Sequence, residues 1–118
     1  MSCLLVGATA LALAGPTFTL GWTHSVERTA WEETWRVEPR ALRLVAARAK
    51  GSGAGMEPGP GAVARDGWLW WEADLAVPTL ALAASGATGA GWRLCAGGRC
   101  RTLAAESGEP VVLRPCGG

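Results

Sequence analysis

The sequence predicts an all-β fold: a single antiparallel β-sandwich or small barrel of about seven strands, preceded by an N-terminal apolar leader. Short stretches in which apolar and polar residues alternate with period two indicate strands. Turn-forming residues separate them roughly every eight to twelve residues, which is typical of such folds. After the leader, about a hundred of the 118 residues remain, enough for one small core. We therefore expect a leader over residues 1–15 and one β domain over residues 16–118.

The expected leader is nearly all apolar over residues 2–14. This run is shorter than the roughly 20 residues of a membrane-spanning helix, and residues 12–14 resemble a small-residue cleavage site. No basic residue precedes it, so the segment is either a signal peptide or an uncleaved anchor to the cytoplasmic membrane. A buried N-terminal strand is the less favoured alternative, because Ala and Leu dominate over β-branched residues.

A β-hairpin is predicted for residues 18–37, FTLGWTHSVERTAWEETWRV. Side chains alternate between the two faces of a strand, so each strand presents one apolar side, interrupted once by His24 and once by Glu33. A four-residue loop over residues 27–30 determines the expected register. The resulting cross-strand pairs are Val26 with Trp31, His24 with Glu33, and Trp22 with Trp35.

The expected pair of His24 and Glu33 has two interpretations. It is either an acid–base pair in a binding or catalytic site, or a structural pair in which each polar group satisfies the other among tryptophans. Ser25 points to the opposite face of its strand and cannot be activated by His24. Two ligands do not make a metal site. We therefore expect no catalytic set, no metal and no cofactor.

Residues 42–49 are predicted to form the next strand. The apolar pattern moves from even to odd positions between Leu44 and Val45, as a β-bulge or a strand buried on both sides would require. A helix is the competing interpretation, because the segment is rich in Ala, Leu and Arg. Strand is favoured because the segments on both sides are predicted strands.

Residues 50–61, KGSGAGMEPGPG, are predicted to form a loop because glycine and proline dominate them. The segment lacks the endings of known nucleotide-binding motifs. Successive backbone amides could still form an anion-binding nest. We take Ser52, Gly53, Gly55 and Met56 as binding candidates, with a plain turn between strands as the alternative.

Residues 67–75, GWLWWEADL, are predicted to form a strand. Leu69, Trp71, Ala73 and Leu75 share one side, which is uniformly apolar and is expected to face the core. Trp68 and Trp70 would then point outward or lie at a sheet junction. Outward tryptophans would form an exposed aromatic patch, which usually marks an interaction surface.

A second hairpin is predicted over residues 92–103, with further strands at residues 79–84 and 111–113. A two-residue turn at Gly97-Gly98 would place Cys95 opposite Cys100, within disulfide range. The short ring implies a modest contribution to stability. For Cys116 the only remaining partner is Cys3, which cleavage of the leader would remove.

Four segments resemble a known family when taken together and in this order. They are HSVERTAWEETW (24–35), KGSGAGM (50–56), SGATG (85–89) and WRLCAGGRC (92–100). The combination is similar to the domain-of-unknown-function family eighteen-fifty, small exported proteins encoded beside TRAP transporter permeases of the TAXI type. The resemblance implies an exported, periplasmic location and a transport association. It implies no activity and no functional residues.

Composition narrows the functional classes. A net charge of +1 does not favour binding to nucleic acid. We expect a non-enzymatic accessory domain of a TAXI-type TRAP system, working at the periplasmic side of the membrane. Its expected partner is the permease or its substrate-binding protein. The alternative is a small-ligand binding domain or enzyme that uses His24 and Glu33.

Overall fold

The computed structural model describes residues 2–23, 30–50, 61–84 and 91–116. All regular secondary structure in these ranges is β-strand, which confirms the predicted all-β class. The eleven strands of the described residues are β1 (Ser2–Val6), β2 (Thr9–Leu13), β3 (Thr17–Thr23), β4 (Ala30–Val37), β5 (Leu42–Lys50), β6 (Val63–Arg65), β7 (Trp68–Val77), β8 (Leu80–Leu82), β9 (Trp92–Ala96), β10 (Arg99–Leu103) and β11 (Val111–Pro115).

These strands form two antiparallel sheets. The smaller sheet has four strands in the order β2-β1-β11-β8, and the larger has seven in the order β10-β9-β3-β4-β5-β7-β6. Buried side chains from both sheets share one core: Leu4, Val6, Leu13, Leu82 and Leu113 from the smaller, with Phe18, Leu20, Trp35, Leu42 and Leu94 from the larger. This packing agrees with the sandwich of the two predicted architectures. We call the core-facing side of the larger sheet its inner face and the other side its outer face.

The N-terminal segment differs from the separate leader that was expected. Residues 2–13 form a hairpin whose first strand pairs with β11, and Leu4 and Leu13 are buried in the common core. Cys3 forms a disulfide with Cys116, and the backbone N–H of Cys116 donates to the carbonyl of Cys3. Burial among apolar neighbours here outweighs the weak strand preference of Ala and Leu.

The first hairpin forms, but its predicted register is wrong. Trp22 lies opposite Trp31 rather than Trp35, and Leu20, not His24, lies opposite Glu33. The last described pair of this hairpin is Thr23 with Ala30, and the predicted loop over residues 27–30 lies largely outside the described residues. The predicted faces are nevertheless correct, because the register differs by an even number of residues. His24 lies outside the described residues.

Of the two predicted explanations for the shifted apolar pattern in β5, the β-bulge is confirmed. Thr34 pairs with Ala46 and Trp35 with Leu44, so Val45 is an extra residue relative to β4. The extra residue reverses the alternation, and both Leu44 and Ala47 therefore lie on the inner face. This arrangement explains the change from even to odd apolar positions in the sequence.

The predicted strand around residues 67–75 is confirmed as β7, with one correction. Leu69 and Trp71 lie on the inner face, aligned with Ala49 and Ala47 of β5. Leu75, expected in the core, is 54% exposed, although its cross-strand partner Leu44 packs against the core. Strand β6 was not predicted.

The second hairpin and its disulfide are confirmed. Ala96 pairs with Arg99 and Cys95 with Cys100, around glycines whose φ angles are +58° and +79°. The two cysteines are bonded, with Cα atoms 4.1 Å apart. Two disulfides are consistent with an oxidising, extracytoplasmic location. The described part of the chain contains no helix long and apolar enough to cross a membrane.

Candidate functional site

The predicted binding residues do not form one site in the described structure. Glu33 lies on the inner face of the larger sheet, in line with Leu20 and Ala47. Trp70 pairs with Arg48, and Arg48 pairs with Glu32. Because Glu32 is adjacent to Glu33 in its strand, it points to the opposite face. Trp70, and with it Trp68, therefore lies on the outer face. Five further candidates are outside the described residues: His24, Ser52, Gly53, Gly55 and Met56.

A row of four tryptophans crosses the inner face at one end of the larger sheet. We call it the tryptophan row: Trp92 of β9, Trp22 of β3, Trp31 of β4 and Trp71 of β7. Ring centroids are 4.9 Å apart between the first two, 6.1 Å between the second and third, and 5.9 Å between the third and fourth. These spacings are those of favourable aromatic pairs. The row is half-buried, and it covers Ala49, which is fully buried beneath it.

Trp92 joins this row to the other sheet. Its indole N–H donates to the carbonyl of Ala83, which follows β8, at 3.1 Å. Trp92 also packs against the core, whereas Trp22, Trp31 and Trp71 extend beyond the residues that contact the core. The row therefore continues the core along the inner face of the larger sheet.

Glu33 is the carboxylate beside the tryptophan row. It follows Trp31 on the same face of β4 and precedes Trp35, whose indole N–H donates to Glu33 Oε1 at 3.1 Å. Burial raises the pKa of Glu33 above its usual value of 4.5, and the hydrogen bond from Trp35 partly opposes this rise. The group is therefore a carboxyl whose charged form is destabilised, on a face built of indoles.

The outer face carries a different arrangement, which we call the cationic tryptophan plate. It consists of Trp68 and Trp70 with Arg48, Lys50 and Arg65. The Arg48 guanidinium carbon lies 3.8 Å from the Trp68 ring centroid and 4.7 Å from that of Trp70. Lys50 Nζ lies 5.1 Å from Trp68, and the Arg65 guanidinium carbon lies 5.2 Å from Trp70. These are cation–π distances.

The plate is held in place by polar contacts at its margins. Arg48 donates from Nε and Nη2 to the two carboxylate oxygens of Glu32, each at 3.2 Å. The Trp70 indole N–H donates to the carbonyl of Arg65 at 3.3 Å. Two positions were predicted for Trp68 and Trp70, outward or at a sheet junction, and the structure has them outward. Their rings are half-buried under the cations rather than openly exposed.

A hollow of about 390 Å³ lies beside Trp70. Exposed Val63 and Arg65 of β6 border it, together with Ala46 and Glu72 of the neighbouring strands. Among the described residues, no group of three or more His, Cys, Asp or Glu side chains could hold a metal ion. The hollow adjoins the plate, with which it shares Trp70 and Arg65.

Sequence reasoning missed the cations of the plate and the strand that completes it. Arg48 and Lys50 occur with the same spacing as Trp68 and Trp70, the pattern expected for two antiparallel strands that share a face. Asp66-Gly67 is a strong hairpin signal that predicts β6, and its φ angles of +55° and +81° are those of such a turn. Both signals were present in the sequence.

Comparison with known proteins shows the family of this chain. A family model described as "Domain of unknown function (DUF1850)" matches residues 18–103, which run from the second residue of β3 to the end of β10. The chain therefore belongs to this family. Searches of curated proteins and of solved structures gave no match.

Proposed function

We propose that this DUF1850 domain is a non-enzymatic accessory domain of a TAXI-type TRAP transport system, acting on the periplasmic side of the membrane. The observation that carries the proposal is the cationic tryptophan plate on the outer face of the larger sheet. Trp and Arg are the residue types that most often dominate binding energy at protein interfaces. The transporter as partner rests on the resemblance of four sequence segments to exported proteins encoded beside such permeases.

The plate is well organised for binding because its side chains are already ordered. Arg48 is held by Glu32 and stacks on both rings, so little side-chain freedom remains to be lost on association. The hollow beside Trp70 offers a place for a side chain of the partner. Cations above the rings favour a partner surface with acidic residues, on the permease or on its substrate-binding protein.

Co-purification of the full chain with the permease, and separately with the substrate-binding protein, tests this proposal. Trp70→Ala is expected to weaken association by roughly thirtyfold or more, the loss typical of an interface hot spot. Leu75→Ala is the matched control, since Leu75 lies on the same strand, is 54% exposed and faces the other way. Unchanged association in a folded Trp70→Ala variant would contradict the proposal.

A second candidate function, small-ligand binding or catalysis with Glu33, is favoured by the raised pKa of that carboxyl beside the tryptophan row. The originally expected partner His24 is not opposite Glu33, so this candidate depends on Glu33 and the indoles. Turnover by the purified domain that is lost in Glu33→Gln, with normal transport in a deletion strain, would favour this second function over the first.

A further inference from the structure

A cleft of about 770 Å³ lies where the edges of the two sheets meet, far from the plate along the order of strands. We call it the edge cleft. Its walls come from β2, the edge of the smaller sheet, and from β9 and β10 at the edge of the larger one. Such a volume is typical of sites for small organic molecules.

The edge cleft has an apolar part beside polar walls. Leu13 and Leu94 are buried at its base, and Leu11, Ala14 and Ala96 line it. At one end the turn at Gly97 approaches Ala14: a Cβ on Gly97 would lie 3.9 Å from that of Ala14. The cleft therefore offers both apolar and polar surface and is narrowed at this end.

The charged groups of the edge cleft are all of one sign. Arg99 and Arg101 line it, and no acidic side chain does so among the described residues. The two arginines are two residues apart on β10, so their side chains project to the same side of the strand, with Cα atoms roughly 7 Å from each other. Arg36, Arg43 and Arg48 pair with carboxylates, but neither cleft arginine forms an ion pair within the described part of the chain.

We propose that the edge cleft binds a small amphipathic carboxylate, with its carboxyl group at Arg99 and Arg101 and its apolar body along Leu11, Ala14 and Ala96. A guanidinium is always charged and offers paired N–H donors that fit a carboxylate. An apolar body is expected because these three accessible side chains of the cleft are apolar. This site is independent of the proposed contact with a transporter, since it uses different residues on the opposite edge of the larger sheet.

Titration calorimetry of the full chain with decanoate, below its micelle concentration, tests the site. We expect saturable binding that strengthens about fourfold for each added methylene from octanoate to decanoate. Decanol tests the need for the charge, and acetate tests the need for the apolar body. Both are expected to bind far more weakly than decanoate.

Substitutions locate the binding. Arg99→Gln and Arg101→Gln are each expected to weaken decanoate binding about tenfold or more, as loss of a charge-assisted hydrogen bond does. Arg93→Gln is the matched control, because exposed Arg93 lies on the outer face of neighbouring β9. Equal affinity for decanol and decanoate, no saturable binding, or equal loss in the Arg93→Gln variant would each overturn the proposal. Circular dichroism verifies that each variant is folded.

Discussion

At the scale of single residues, Glu33 illustrates how neighbours decide the behaviour of a side chain. A carboxylate on the inner face loses water, and a single indole N–H does not replace the lost solvation, so burial is the dominant cause of the raised pKa. Glu32, the next residue, lies on the outer face and pairs with Arg48. One position along a strand thus separates a destabilised charge from a paired one.

This difference predicts a pH-dependent effect of Glu33→Gln. The pKa of Glu33 is 4.5 in the unfolded chain and higher in the folded protein. Its protonated form therefore stabilises the fold fully below pH 4.5, and this stabilisation is lost as pH rises through the pKa of the folded protein. Glutamine stays neutral and still accepts the hydrogen bond from Trp35. We therefore expect Glu33→Gln to unfold at a higher temperature than the wild type at pH 7, with the gain vanishing at about pH 4.

Thermal unfolding of both proteins at the two pH values is the measurement. Glu32→Gln serves as the control, because it removes an ion pair on the outer face and is expected to give no gain at pH 7. A Glu33→Gln variant that is less stable by the same amount at both pH values would contradict the assigned desolvation.

At the scale of elements, the bulge at Val45 lets the two halves of β5 place their apolar side chains on the same face of the sheet. Leu42 and Leu44 face the core before it, and Ala47 and Ala49 face inward beneath larger side chains after it. In a regular strand of the same length, one of these pairs would have to point outward, because Leu44 and Ala47 are three positions apart. The bulge therefore joins the core to the region of the tryptophan row.

Deletion of Val45 tests the role of the bulge. Without Val45, Leu44 and Ala47 are two positions apart, so a regular strand keeps both on the inner face and pairs with β4 without a bulge. We expect this deletion to cost only about 1 kcal/mol in the free energy of unfolding. Deletion of Ala46 as well places Leu44 and Ala47 on opposite faces, so that fully buried Leu42 or Ala49 must turn outward, and is expected to cost about 3 kcal/mol or more. Chemical denaturation measures both losses, and equal losses would contradict this account of the faces.

At the scale of the whole molecule, the Cys3–Cys116 disulfide joins the two ends of the described chain. Its cysteines are 113 residues apart, whereas Cys95 and Cys100 are five apart. In the chain-entropy model, a link that closes so long a loop restricts the unfolded chain more than a link within one hairpin. The N-terminal hairpin and β11 are thus tied to each other covalently and by strand pairing.

Removal of each disulfide gives a ranked prediction. Replacing Cys3 and Cys116 by Ala is expected to cost about 4–5 kcal/mol of unfolding free energy, against about 2 kcal/mol for replacing Cys95 and Cys100. Denaturant unfolding under non-reducing conditions measures both losses. The reverse order would contradict the prediction.

Non-reducing peptide mapping of the purified protein is the companion measurement. We expect two linked pairs, Cys3 with Cys116 and Cys95 with Cys100. Recovery of Cys116 as a free thiol in a chain cleaved after Ala14 would instead support the expected leader, and would show that the mature domain lacks the hairpin of β1 and β2.

The sequence by itself determined the all-β class, the inner and outer faces of the first hairpin and the pairing of Cys95 with Cys100, and it offered the bulge in β5 as one of two explanations of the apolar pattern. Each of these follows from alternation or turn chemistry within about ten neighbouring residues, which local pattern describes well.

Only the tertiary structure decided the hairpin register, the burial of the N-terminal hairpin, the exposure of Leu75 and the stacking of Arg48 on Trp68 and Trp70. Shifting a register by two residues keeps every side chain on its face, so periodicity cannot distinguish the alternatives. Whether an apolar strand face is covered depends on which part of the larger sheet the smaller one reaches. That reach is determined by contacts between residues far apart in the chain, such as Leu4 with the core formed by Phe18 and Leu113.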